Sequence, residues 1–231
     1  MKYLTIPKAQ QEKLLIGRKE LISSLRSAQN EIMNLQRQVD NSKTDSLTGL
    51  WRVDAGKDFL YETIREAARE NRDLAVLYID LDNFHYIDNT IGHIEADKIL
   101  NKFGSILLSE VRPGDIAVRY GGDEFFVIVK SEVRGRGGVA ANALWSRLKS
   151  RIGEATEGVA NGEIRLGASS GVSSFFKDVP VELAEQAQRI RTKEGIEDWA
   201  EEVGMLMLET ADLNMLVHKT ASKANRDSNG A

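Results

Sequence analysis

From about residue 10 to residue 39 the chain is polar, broken by a sparse apolar stripe at Leu14, Leu21, Leu25, Ala28, Ile32, Leu35 and Val39. These positions fall alternately four and three residues apart, and only Arg18 interrupts the series. An a/d heptad of this kind, with charged residues elsewhere, predicts a helix that seals its narrow stripe against a second copy in a parallel coiled coil. The other reading is a single long helix lying against its own domain. Asp40-Asn41-Ser42-Lys43-Thr44-Asp45 breaks the pattern and marks a junction. The chain thus divides into an N-terminal helix, residues 1–40, and a globular domain, residues 41–231.

Beyond the junction the spacing predicts a helix from about Val53 to Glu70, with Phe59, Leu60, Ile64 and Ala67 on one face. The nearly continuous apolar run Leu74–Ile79 suits a central strand buried on both sides. A helix follows over about Ile94–Ser109. Ile116–Tyr120 and Phe125–Val129 are strand-like, and the paired glycines of Gly121-Gly122-Asp123-Glu124 between them predict a hairpin. A Gly-rich loop at Arg134–Gly138 leads to a helix over about Ala140–Arg151 and a strand over about Ile164–Ser170. A last helical region spans about Val181–Lys219, within which the acidic stretch Arg189–Val203 reads as an extended amphipathic helix or an insertion presenting a solvated face, and the polar residues 221–231 are expected to fray. This order gives an α+β fold, a ferredoxin-like or palm-type antiparallel sheet with flanking helices, preceded by the coiled-coil helix.

Composition narrows the chemistry. The net charge of -4 provides no global basic field, so no nucleic-acid polymer is expected as a partner, and a bound phosphate must be held by local groups or metal. With no cysteine among the 231 residues, disulfides and thiolate chemistry are excluded, and a reducing, cytoplasmic setting is expected. No apolar run reaches the length of a membrane span, so no membrane insertion is expected. Two acidic clusters stand out: Asp80 and Asp82 at the end of the first strand, and Asp123 and Glu124 at the hairpin tip. If strand and hairpin are sheet neighbours, these carboxylates converge and favour a hard cation such as Mg²⁺. The bland alternative is a solvated acidic turn.

Arg119-Tyr120-Gly121-Gly122-Asp123-Glu124-Phe125 contains the complete signature of the GGDEF family of diguanylate cyclases, which the chain resembles from about Asp45 to Lys223. Asp45-Ser46-Leu47-Thr48-Gly49-Leu50 is similar to that family's opening motif, and Asp80-Leu81-Asp82-Asn83-Phe84 to its first metal strand and phosphate loop. Gly92-His93 with Asp97, and Ala211-Asp212 with Lys219, match later motifs. The resemblance implies an enzyme that joins two GTP into cyclic di-GMP and two pyrophosphates across a homodimer. Asp80, the Leu81 carbonyl, Asp123 and Glu124 would hold two Mg²⁺ ions, with Mn²⁺ as an alternative, and Asp123 and Glu124 would be catalytic. Gly121 and Gly122 would let backbone approach the nucleotide. The turn Asp82–Tyr86, including Phe84, would offer amides to the phosphates. Lys219 and Lys223 would add positive charge there, and Asp97 would read the guanine edge.

The chain departs from the family at several of these positions. His85 stands where lysine is usual, and Asp88-Asn89 where the family has Asn-Asp, so Asp88 can only accept where asparagine also donates. Lys223 replaces an arginine, Ala96 a glycine and Leu216 a tyrosine. Arg112-Pro113-Gly114-Asp115 matches the family's RxxD product site, with Arg147 as a further arginine, and implies feedback inhibition by cyclic di-GMP. The altered His85 and Asp88 keep a second reading open, an inactive domain serving as a cyclic di-GMP or GTP receptor. A third, a coiled-coil adaptor with an inert head, accounts for the heptads but not for the acids.

Overall fold

In a computed structural model the described residues are 7, 18, 21–33, 43–159 and 164–229. Contacts separate two units, residues 1–43 and residues 44–231. In the first, residues 21–33 form helix α1, on which Leu21, Leu25 and Ile32 are exposed. Leu14, Leu35 and Val39 of the expected stripe lie outside the described residues.

The second unit is built on a sheet with the order β1-β3-β4-β2-β5. Its strands are β1 (Trp51–Arg52), β2 (Asp73–Asp82), β3 (Ile116–Gly121), β4 (Glu124–Ser131) and β5 (Gly167–Ser174). β2 pairs antiparallel with β4 and β5, and β4 with β3, while the short β1 joins the edge parallel to β3. Strands β2 to β5 thus have the ferredoxin-like order, and β1 makes the sheet mixed. Helices cover both faces. Because successive strand residues point to opposite sides, Ala75, Leu77, Ile79 and Leu81 face α4 (His93–Glu110) and α5 (Gly137–Arg151), where Phe103 and Phe125 pack. Leu74, Val76 and Tyr78 face α2 (Val53–Glu70) and α8 (Lys193–Asn229), among Leu60, Ile64, Phe126 and Met207.

Several elements differ from the sequence expectation. β5 begins three residues later than expected and runs on to Ser174, its small side chains giving little periodic signal. The closing helical region is broken: α6 (Phe175–Asp178) and α7 (Val181–Gln186) precede α8, which continues through the polar tail to Asn229. From Lys193 onward the stretch Arg189–Val203 belongs to α8 and is the amphipathic helix of the expectation, with an acidic exposed face and a buried one. Trp199, Ala200 and Val203 are buried in the α2–α8 core, and the Trp199 indole donates to the Leu183 carbonyl at 2.7 Å. The acidic residues there occupy the outer positions of a helix whose other stripe the sheet needs.

The closest approach of helix to sheet is at Gly171, where α8 crosses β5. A Cβ there would run into the Ala211 carbonyl and the Met215 amide, both backbone groups that cannot rotate away. Gly171→Ala is therefore expected to destabilise the domain by about 1–3 kcal/mol, whereas Gly153→Ala, with nothing within 4 Å of the added methyl, should be neutral or mildly stabilising. Urea unfolding of the two variants checks this; equal midpoints would contradict the packing described.

Candidate active site

The antiparallel register of β2 and β4 sets Asp80 directly opposite Glu124. The turn before β4 folds back so that the Leu81 amide donates to the Asp123 carbonyl at 3.2 Å. Gly122, with φ +50°, supplies the left-handed residue of this turn, and Gly121 ends β3. Strand and hairpin are thus neighbours, and the two acidic clusters meet at one end of the sheet.

Their electrostatics follow. Burial pushes the Asp80 carboxyl up; the Lys219 ammonium opposes this, while Asp123 and Asp82 add to it. Burial likewise raises Glu124, against the Tyr78 hydroxyl and with help from Asp80, Asp123 and Asp212. Lys219, on α8, contacts Asp80 and stands 3.8 Å from Asp82, which also accepts the Ser169 hydroxyl at 2.7 Å. Lys223 lies four residues further along α8; its side chain is outside the described residues.

The turn after β2, expected to meet the phosphates, begins with Asn83 in the left-handed region (φ 56°) and passes at once into a short helix, α3 (Phe84–Ile91), rather than a loop. Ile87 already donates to Asn83, so the amides of Phe84, His85 and Tyr86 are the free first-turn donors of a helix N-terminus. Beside it a cavity of about 280 Å³ is lined by Phe84, Asp88, Asp97, Arg119, Gly122 and Asp123, with His85 and His93 at the same cavity. The departing residues hold internal partners: Asp88 Oδ1 meets His93 Nδ1 at 2.7 Å, and His85 Nε2 meets Asn89 Nδ2 at 3.0 Å.

Arg119, a motif residue to which spacing assigns no role, ties the site together. Its guanidinium holds the Gly122 carbonyl at 2.8 and 3.1 Å and both Asp45 oxygens at 3.1 and 3.2 Å. Burial alone would raise Asp45, but the Thr48 hydroxyl and amide, and then Arg119, hold its carboxyl below the usual range. An arginine two residues before the glycine pair, with an aspartate opening the domain, was the available signal. Asp212, part of the motif match with Ala211 and Lys219 but without an assigned role, also acts on Glu124, as does Tyr78, which no spacing marks.

At the other end of β3, Asp115 is almost wholly buried. It accepts the Lys130 amide at 3.1 Å and the Arg112 Nε at 3.3 Å, while Arg112 also donates to the Lys130 carbonyl at 3.2 Å. Arg147 is bound to Glu110, two residues before Arg112. Among the described residues no three His, Cys, Asp or Glu side chains close into a metal cage by themselves, and no helix is long and apolar enough to cross a membrane.

The profile of the family described as "Diguanylate cyclase, GGDEF domain" matches residues 42–194. Among curated relatives, the diguanylate cyclase DgcS of Shewanella oneidensis is 35% identical over 105 residues, which is 46% of this chain and 36% of that protein. The cyclic di-GMP phosphodiesterase PdeR of Escherichia coli is 29% identical over 162 residues, 64% of this chain and 23% of that one. This chain therefore spans well under half the length of these relatives. Among solved structures, the coiled coil and GGDEF domain of DgcB from Caulobacter crescentus, in complex with c-di-GMP, shares the fold with a TM-score of 0.67 at 19% identity, covering 88% of this chain and 94% of that one.

Glu124 and Asp80 have carboxyls raised above their ordinary values, so each binds its proton more readily in the folded chain than in the unfolded one. The stability they contribute is present at acid pH and lost as pH rises through the raised values. In a chelator, Glu124→Gln should accordingly stabilise the protein at pH 7 by about 0.2–1 kcal/mol, the low end being set by solvent screening. The gain should vanish near pH 4. Thermal unfolding against pH tests it, and a variant less stable than the parent at pH 7 would refute the repulsion.

Proposed function

The chain belongs to the GGDEF family of diguanylate cyclases, and from that premise we propose that two copies of it join two GTP into cyclic di-GMP, releasing two pyrophosphates. The observation that carries this reading is the register that sets Asp80 opposite Glu124 with Asp123 bonded beside them. Four carboxylates facing one ammonium form a site with unbalanced negative charge, which a structural role does not require. Its donors are all oxygen, including the Leu81 carbonyl, and they suit Mg²⁺ or Mn²⁺, with nucleotide phosphates completing the ligand set. Asp80, Leu81, Asp123 and Glu124 would hold two such ions, which when bound acidify a hydroxyl and neutralise a departing pyrophosphate.

In each half-reaction a ribose 3′-oxygen bonds to the α-phosphorus of the facing nucleotide, the bond to the bridging oxygen breaks, and pyrophosphate leaves with the electron pair. Asp123 stands closest to the attacking hydroxyl and accepts its proton, with Glu124 beside it. The first-turn amides of α3 bind the phosphates, and Lys219 and Lys223 add charge to them. Gly121 and Gly122 leave room for the nucleotide. Asp97 accepts from the guanine N1–H and 2-amino groups, which adenine does not offer together. The Asp45–Arg119–Gly122 contacts hold the hairpin against the start of the domain, so the orientation of residues 1–40 bears on how two domains 41–231 meet. The exposed Leu21, Leu25 and Ile32 of α1 suit a parallel coiled-coil dimer, and orientation is most of the catalytic task. Product returning to Arg112, Asp115 and Arg147 would inhibit. A cytoplasmic setting, with its GTP and divalent cations, fits this chemistry.

The Asp88–His93 contact favours a second reading, a receptor that binds cyclic di-GMP or GTP without turnover. It occupies a carboxylate oxygen where the guanine edge would sit, and PdeR is named for a different activity.

Purified protein incubated with GTP and Mg²⁺ should yield cyclic di-GMP, identified by mass. Asp123→Ala with Glu124→Ala should abolish turnover, by roughly 10²-fold or more for a lost catalytic group, with the fold intact. Tight cyclic di-GMP binding without product would support the receptor instead, and unchanged turnover in the double variant would remove the carboxylates from the mechanism.

A further inference from the structure

We propose that Glu110 is a built-in competitor for the product: its carboxylate occupies the anion position between Arg147 and Arg151, and cyclic di-GMP must displace it to inhibit. The proposal rests on reading Arg112, Asp115 and Arg147 as the product site. Glu110 is the last residue of α4, and Arg112 follows two residues later. All three guanidinium nitrogens of Arg147 are engaged: Nε with Glu110 Oε2 at 3.0 Å, Nη2 with the Glu110 carbonyl at 3.1 Å, and Nη1 with the Ala143 carbonyl at 3.3 Å. The other oxygen, Oε1, accepts from Arg151 Nη1 at 2.7 Å, and Arg151 is held from behind by Glu154 at 2.9 Å. Two carboxylate oxygens thus bridge two arginines in the manner of the two free oxygens of a phosphodiester. The exposures fit an occupied site. The Glu110 side chain is 15% exposed, while Arg147 and Arg112 are 49% and 59% exposed.

Hydrogen bonds from Arg151 and Arg147 hold the Glu110 carboxyl below the usual carboxylate range, so it stays an anion throughout the neutral range. Within the neutral range proton uptake does not release it, whereas a competing anion can. Arg151 lies one turn beyond Arg147 on the same face of α5. Once the carboxylate swings away, it is a further arginine available to the product phosphate. The consequence is a raised inhibition threshold, set by an ion-pair network internal to one subunit.

Calorimetric titration of cyclic di-GMP into the full chain, with Glu110→Gln, Glu110→Ala and Arg112→Ala beside the parent, tests this. Both Glu110 variants should bind product roughly two- to fivefold more tightly, the range an exposed ion pair can withhold. Half-inhibition of GTP turnover should shift down by the same factor, with product-free turnover unchanged. Unchanged or weaker binding in both Glu110 variants, while Arg112→Ala loses it, overturns the competitor and leaves the product site standing. Binding by Arg112→Ala equal to the parent removes the site itself, and with it the premise.

Discussion

Like charges set directly opposite each other across two antiparallel strands repel, and the arrangement of this domain follows from accommodating one such pair. Asp80 and Glu124 face each other because this register fits the side chains of β2 and β4 into two differently shaped cores: a slip of one strand by one residue would exchange residues such as Leu74 and Val76 with Leu77 and Ile79 between them. The apolar burial of two filled cores, about 25 cal/mol per Å², far exceeds the repulsion of one partly exposed pair. The carboxylates are therefore held together by a force that has nothing to do with them.

Around that pair, elements distant in the chain supply the compensation. α8 brings Lys219 onto Asp80, and can do so because Gly171 lets the helix lie on β5. Arg119 anchors the hairpin backbone at Gly122 to Asp45, so the opening of the domain and its acidic tip share one guanidinium. The contact joins Asp45 and Gly122 within the domain through a single side chain.

An internal partner stands at three of the positions proposed to bind a ligand. Lys219 sits on the carboxylates, His93 on Asp88, and Glu110 on Arg147. Each internal partner limits the cost of holding a charge partly out of water, and a ligand proposed to bind there would have to compete with it or share it. Affinity at such a position is a difference between two similar interactions, which makes it adjustable by single substitutions far more than the fold is.

Much of this was legible in the sequence, and the boundary is physical. Periodicity gave the two-sided core strand Leu74–Ile79, the hairpin at Gly121-Gly122 and the helices before and after them, because burial on fixed faces imposes a repeat. It missed α3, whose eight residues are too few for one. It placed β5 early, where Gly167–Ser174 is nearly all small residues, and it left Arg189–Val203 open between an amphipathic helix and an insertion because the acidic neighbours of Trp199 and Val203 dominate the pattern. The motifs named Asp80, Asp123 and Glu124 by chemistry alone. That Asp80 stands opposite Glu124, that Arg119 reaches Asp45 across 74 residues, and that Glu110 occupies Arg147 depend on strand register and helix crossing. Those are set by packing between segments far apart in the chain, and no local pattern records them.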